Sequence, residues 1–216
     1  VNSLRIDYSL YRGSVYQLDR HPLFKPKLNI SMLEQEPETQ IIKCFDVNEN
    51  GWFAIGTRRN QILVYDRDGV YQYGFRFEPT GTYGISFVGD NVSIFLSRGD
   101  TIAVVNSTGN CIHAEEVTLS NSLREAFLKQ TVKLIGNVKY YLERDIGIFD
   151  GAYSRLAVID EDGNRTVLYD ATVKGYFEGA LHYIILLGCL LIGIGAVVSK
   201  VREEERDDDC SGKAEV

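Results

Sequence analysis

The chain has 216 residues, 44% apolar and 25% charged, a balance that excludes a disordered polymer and suits one folded domain with accessory segments. Formal net charge is −7; from Lys200 onward four basic face seven acidic side chains, leaving 19 basic against 23 acidic elsewhere. A mildly acidic chain without a run of Lys or Arg lacks the footprint that phosphate binding needs, so nucleic acid is excluded as a partner.

Taken in chain order, "LRIDYSLYRGSVYQLD" predicts an N-terminal hairpin turning at Gly13, and "HPLFKPKLNISMLEQEPE" reads as a connection or divergent edge, giving a first segment over 1–40. Residue 41 begins a different pattern. "IIKCFDV", "WFAIGT", "QILVYD" and "VYQYGFRF" are short runs of aromatic and β-branched residues, divided by "NENG", "RRN" and "RDG". Such runs fit a pleated surface, and the Asn, Asp and Gly between them are hairpin-turn residues.

The pattern recurs. "QILVYDRDG" at 61–69 returns as "TIAVVNSTG" at 101–109, an offset of 40, and as "RLAVIDEDG" at 155–163, a further 54. The strands before them align as "GWFAIGTR", "NVSIFLSR" and "NVKYYLER". A period near 40 residues is the signature of propellers and solenoids. If the third strands are equivalent, Ile62, Val64, Ile102, Val104, Leu156 and Val158 share one face, and Leu63, Ala103 and Ala157 the other.

The order strand, "DxxG" turn, strand, polar turn, "xIxVFDxxG", strand resembles the repeat of NHL-type β-propellers, with Ile62, Val64, Asp66 and Gly69 at the motif positions. The likeness covers one good copy and two weaker ones over 41–172. It implies blade-shaped sheets and says little of activity, because propellers host many unrelated functions. Metal-binding lyases of that type use several histidines from several blades; His21, His113 and His182 here are scattered.

"DVNEN" followed by Gly51 invites a calcium-loop reading through Asp46, Asn48 and Asn50. An EF-hand would need a bidentate Glu at its twelfth position, which is Thr57, and helices rather than strands on either side. A hairpin turn accounts for these residues, with Asp46→Ala expected to cost about 1 kcal/mol. No nucleophile or metal-ligand spacing stands out elsewhere, so neither catalysis nor a cofactor is expected. Cys44 and Cys111 are either bridged or free, buried thiols.

Two departures from the repeat remain. "SLREAFLKQ", with Ser122 and Glu125 at capping-box spacing and Leu123 and Phe127 on one face, predicts a short helix between blades. "RDIGIFDGAYSR" enlarges a loop of the third copy with Ile146, Ile148, Phe149 and Tyr153. These are the candidate ligand or partner contacts, or else they cap the last blade.

From Ala180 to Ser199 there are 20 residues without Asp, Glu, Lys or Arg, about 30 Å of helix and enough to span a hydrocarbon core. Lys200, Arg202 and Arg206 beyond it predict a cytoplasmic tail and an extracytoplasmic β domain. "VNSLRIDYSLYRG" lacks the basic start and apolar core of a signal peptide, so this orientation needs an upstream signal; the alternative is a tail anchor with a cytoplasmic β domain. Gly195 and Ser199 offer a small-residue pair for helix association.

The expected architecture is thus all-β: a propeller-like array of about three four-stranded blades over 41–178, a transmembrane helix over 179–199 and a charged, disordered tail over 200–216. The expected function is a membrane-anchored binding or sensing module at the cell membrane, touching the lipid bilayer and a protein partner or a second copy. The alternative is an accessory subunit whose sheet edges complete a partner's propeller.

Overall fold

Residues 28–78, 81–117, 119, 121–144, 153–173, 184–185 and 187–194 are described by the structure, a computed structural model. Among the described residues the runs of Val, Ile, Phe and Tyr fold as thirteen strands, every one paired antiparallel. The first sheet contains β1 (Asn29–Met32), β2 (Ile42–Val47), β3 (Phe53–Thr57), β4 (Gln61–Tyr65) and β5 (Tyr71–Glu78), in the order β1-β5-β4-β3-β2. The second, β6 (Tyr83–Val88), β7 (Asn91–Leu96), β8 (Thr101–Val105) and β9 (Cys111–Glu116), and the third, β10 (Val132–Ile135), β11 (Val138–Glu143), β12 (Arg155–Ile159) and β13 (Arg165–Asp170), are simple meanders. Three four-stranded meanders in succession are the units from which propellers are built. β1 adds a fifth strand outside β5, so the segment left open as connection or edge supplies an edge strand.

Side-chain alternation decides how the sheets stack. Phe45, Val47, Phe53, Ile55, Leu63 and Tyr65 share one core with Tyr140, Leu142, Leu156 and Tyr169 of the third sheet. Cys44, Ala54, Ile62, Val64, Phe75 and Phe77 share another with Tyr83, Ile85, Val92, Ile94 and Leu96 of the second. The first sheet therefore lies between the other two, which is why β3 and β4 are apolar without a break. Ile62 and Val64 face one neighbour and Leu63 the other, as period 2 requires.

The expected helix is α1 (Asn121–Lys129), and it covers the far face of the second sheet by packing Phe127 with Phe95, Ile102, Val117 and Leu119. Its backbone comes so close to β6 that a Cβ on Gly84 would lie 2.1 Å from the Phe127 carbonyl oxygen. No residue larger than glycine fits there without moving the helix.

The chain divides into two units, residues 1–174 and 175–216. In the second, the described helical residues are 184–185 and 187–194. Among the described residues no helix is long and apolar enough to cross a membrane. This corrects the single-pass span over 179–199, and with it the cell-membrane location in either orientation. The N-terminal hairpin before Leu28 and the tail over 200–216 lie outside the described residues.

Gly84→Ala should lower stability by about 1–3 kcal/mol through forced displacement of α1. Val64→Ala should cost a similar amount through lost burial, and Ser107→Ala in a turn less than about 0.5 kcal/mol. Urea melts with a common slope check all three.

Candidate functional site

Four turns are built alike. The side-chain oxygen Oδ1 of Asn48 accepts the N–H groups of Asn50 and Trp52, both at 3.0 Å, and Asp66 accepts those of Asp68 and Val70 at 3.0 and 2.9 Å. Asn106 does the same for Thr108 and Asn110, and Asp160 for Asn164. Each turn places its glycine in the left-handed region, with φ of +81° at Gly51 and Gly69, +78° at Gly109 and +84° at Gly163. The side-chain acceptor and the glycine together encode the turn locally.

Asp46 is not part of that device. It is 2% exposed and joins all three sheets. One carboxylate oxygen accepts the Phe87 N–H of β6 at 2.7 Å; the other accepts Lys133 Nζ of β10 at 2.5 Å and Gln130 Nε2 at 3.1 Å. The expectation that Asp46 serves only a turn is corrected: Asn48 serves the turn, and Asp46 points inward from β2. Its partners lie 41 to 87 residues away, where no local pattern reveals them.

The sheets are aligned end to end. Lys43 near the start of β2 reaches the Gly81 carbonyl and lies over the Tyr83 ring at 4.5 Å, while Asp46 meets Phe87 near the far end of both strands. Ile42 exchanges two backbone hydrogen bonds with Tyr153, at 2.9 and 3.0 Å, and Tyr169 Oη donates to the Gln40 carbonyl at 3.0 Å. The four alike turns thus lie at one end of the sheets. The turns after β3, β7 and β11 lie at the other.

Of the candidate contacts, Ile146, Ile148 and Phe149 lie outside the described residues. Tyr153 is half-buried against the core between the first and third sheets, and Arg144 stacks over its ring at 4.8 Å. Nearby, Tyr65 donates to Glu36 at 2.9 Å and packs edge-on with Tyr71 and Tyr169. Burial raises the Tyr65 phenol well above its ordinary value, aided by that hydrogen bond, and pushes Tyr169 up to about 12.

The third sheet has one face against the first and one open face. Val132, Leu134 and Val167 are 47%, 65% and 37% exposed there. Cross-strand register places Tyr141 beside Val132, Lys139 beside Leu134 and Ala157 beside Val167. Arg165 grips Glu143 through both carboxylate oxygens, at 2.7 and 2.9 Å, and Lys139 lies over the Tyr141 ring at 5.6 Å. This face was not read from the sequence, although the alternation in "TVKLIG" contains the signal.

Among the described residues no group of three His, Cys, Asp or Glu is placed to hold a metal ion, and His113 has Glu115 at 3.5 Å. Cys44 and Cys111 are both free; Cys44 is buried but Cys111 is exposed, correcting the expectation of two buried thiols.

No protein-family model and no curated protein matches the chain. Solved structures to which the chain shows some similarity include a HIRA fragment (11% identity, TM-score 0.31), covering 67% of this chain and 45% of that one. BamB from Moraxella catarrhalis (14%, TM-score 0.24) covers 59% and 53%. Sqt1 from Saccharomyces cerevisiae (17%, TM-score 0.28) covers 64% and 34%. The chain spans about half or less of the length of each.

Asp46→Ala should cost about 3–5 kcal/mol, the scale of a buried ion pair broken on one side, whereas Asn48→Ala should cost about 1 kcal/mol. Chemical denaturation, unchanged by added calcium, checks this. Burial pushes the Cys44 thiol from its ordinary 9.0 up to about 12. Neutral Cys44 and Tyr169 therefore stabilise the fold fully below pH 9, and that contribution is lost as pH rises to about 12. Melting temperature should fall across that window, and maleimide labelling read by mass spectrometry should modify Cys111 before Cys44.

Proposed function

We propose that the chain is a non-catalytic protein-interaction module whose partner stacks on the open face of the third sheet. The exposure of Val132, Leu134 and Val167 on a sheet whose other face packs on the first sheet carries this reading. In a propeller both faces of a blade are covered by neighbouring blades, so a further sheet is the occupant this face suits, and we assign that sheet to a partner protein. The apolar centre and charged flank of Lys139, Glu143 and Arg165 match the anatomy of an interface core and rim. This favours the accessory-subunit form of the function, in which the chain extends a partner's array of sheets. We place the repeat with the NHL type on its "DxxG" turns, and assign Ile146, Ile148 and Phe149 to a second contact on the same partner, with Tyr153 anchoring the root of their loop.

Leu134→Asp with Val132→Asp should leave stability within about 0.5 kcal/mol, because both side chains are already exposed. Partner or self-association should weaken at least about 10-fold, as for a residue at an interface centre. Light scattering on the full chain, with cross-linking at Lys139 in the native source, reads the outcome. Association unaffected by the double substitution, with cross-links confined to other surfaces, refutes the reading.

A further inference from the structure

Three aromatic rings stand at one mouth of the contact between the first and second sheets. Trp52, Tyr73 and Phe87 are half-buried, and all three pack against the core that those two sheets share. Register brings them together around Ala54. Ala54 pairs with Val64, which pairs in turn with Tyr73, and on its other side with Asp46, which accepts the Phe87 N–H. Trp52 lies two residues before Ala54 and therefore on the same face. The rings are 21 and 14 residues apart in the chain, so no local pattern marks them as a group.

The charge at this mouth is negative. The turns of the first and second sheets there hold Glu49, Asp66, Asp68 and Asp90 against Arg67, which pairs with Asp68 at 3.8 Å. Two lysines come near through the segment after α1, and each has an acid: Lys129 meets Glu125 at 2.8 Å and Lys133 meets Asp46 at 2.5 Å. The third sheet adds Asp160, Glu161 and Asp162 at the same end, against Lys139 and Arg165, the latter held by Glu143 at 2.7 Å. Glu49 and Asp90 are exposed, one three residues before Trp52 and the other three after Phe87. Burial first and then the Asp90 charge push the Tyr73 phenol up to about 12, so that carboxylate is felt at the rings.

We propose that this mouth docks an arginine-bearing peptide segment of a partner protein. A guanidinium is a planar cation that stacks on an aromatic face while its fork meets a carboxylate. Trp52, Tyr73 and Phe87 beside Glu49 and Asp90 supply both halves of that recognition. A lysine ammonium has the charge without the plane, and it holds its water more tightly, so it suits the mouth less well. The net charge of −7 draws a basic segment towards the chain. This surface belongs to the contact between the first and second sheets and does not depend on the open face of the third.

Trp52 is the one tryptophan of the chain, so its emission reports on this mouth. The test titrates the full chain with a hexaarginine peptide at 50 and 500 mM salt. A saturable change in Trp52 emission is expected at low salt, with affinity weakened at least about 10-fold at high salt by screening. Hexalysine should bind at least about 3-fold more weakly than hexaarginine. Glu49→Gln with Asp90→Asn should weaken binding about 5–10-fold with an unchanged thermal melt, because both side chains are exposed. A control carrying Asp160→Asn, Glu161→Gln and Asp162→Asn should bind within about 2-fold of the parent chain. No emission change at 50 mM salt, or undiminished binding by the double variant, overturns the proposal. Binding seen by anisotropy of a fluorescein-labelled peptide but silent at Trp52 also overturns it, since the peptide then sits on another acidic stretch such as "EEERDDD" at 203–209. Equal affinity for hexalysine would reduce the recognition to charge alone, and equal affinity for free arginine would make the ligand a small molecule; either result overturns it.

Discussion

The Asp46 carboxylate is the constraint on which the arrangement of sheets depends. A carboxylate taken out of water is costly unless its lone pairs are filled, and here the donors come from β6, from β10 and from the segment between α1 and β10. No one sheet could satisfy it. Apolar faces alone would tolerate sliding of one sheet over another, because hydrophobic burial is non-directional. The short hydrogen bonds to Phe87 and Lys133 remove that freedom and set the inner strands at one height.

With that height set, the alternating faces of the first sheet do the rest. Each face is complementary to one neighbour: Phe53 stacks on Tyr65 at 5.0 Å on the side of the third sheet, and Phe77 meets Tyr83 edge-on at 4.9 Å on the side of the second. Gly56 leaves room for the Tyr83 ring, whose hydroxyl donates to the Thr57 carbonyl at 2.6 Å. The faces that remain are treated differently. The far side of the second sheet receives α1, whereas that of the third presents Val132, Leu134 and Val167. The two sheets flanking the first thus differ, one covered by a helix and the other carrying exposed apolar side chains.

What could be read from the sequence is what local chemistry encodes. Gly51, Gly69, Gly109 and Gly163 marked their turns because a positive φ and an Asx acceptor leave a short pattern, and Ile62, Leu63 and Val64 showed their faces by period 2. Asp46 was misread because it stands two residues from Asn48, inside a segment that looks like a turn, while its partners are remote. The stacking order escaped for the same reason, since nothing in "RLAVIDEDG" says that Leu156 packs on the first sheet rather than the second. The apolar run over 180–199 suggests a span by length and composition alone, whereas among the described residues no helix is long and apolar enough to cross a membrane.

The stacking order has a consequence for how the chain is made. The face bearing Phe53, Ile55, Leu63 and Tyr65 is complete once β5 ends at Glu78, but its cover includes Leu156, Tyr169 and Ala171. The contact between Gln40 and Tyr169 closes a separation of 129 residues. At ribosomal rates of about 5–20 residues per second, the newborn first sheet waits roughly 5–20 s with that face bare. Such a surface is what holdase chaperones grasp and what neighbouring nascent chains stick to. Translation speed between β5 and β13 therefore becomes a determinant of yield, independent of how stable the finished molecule is.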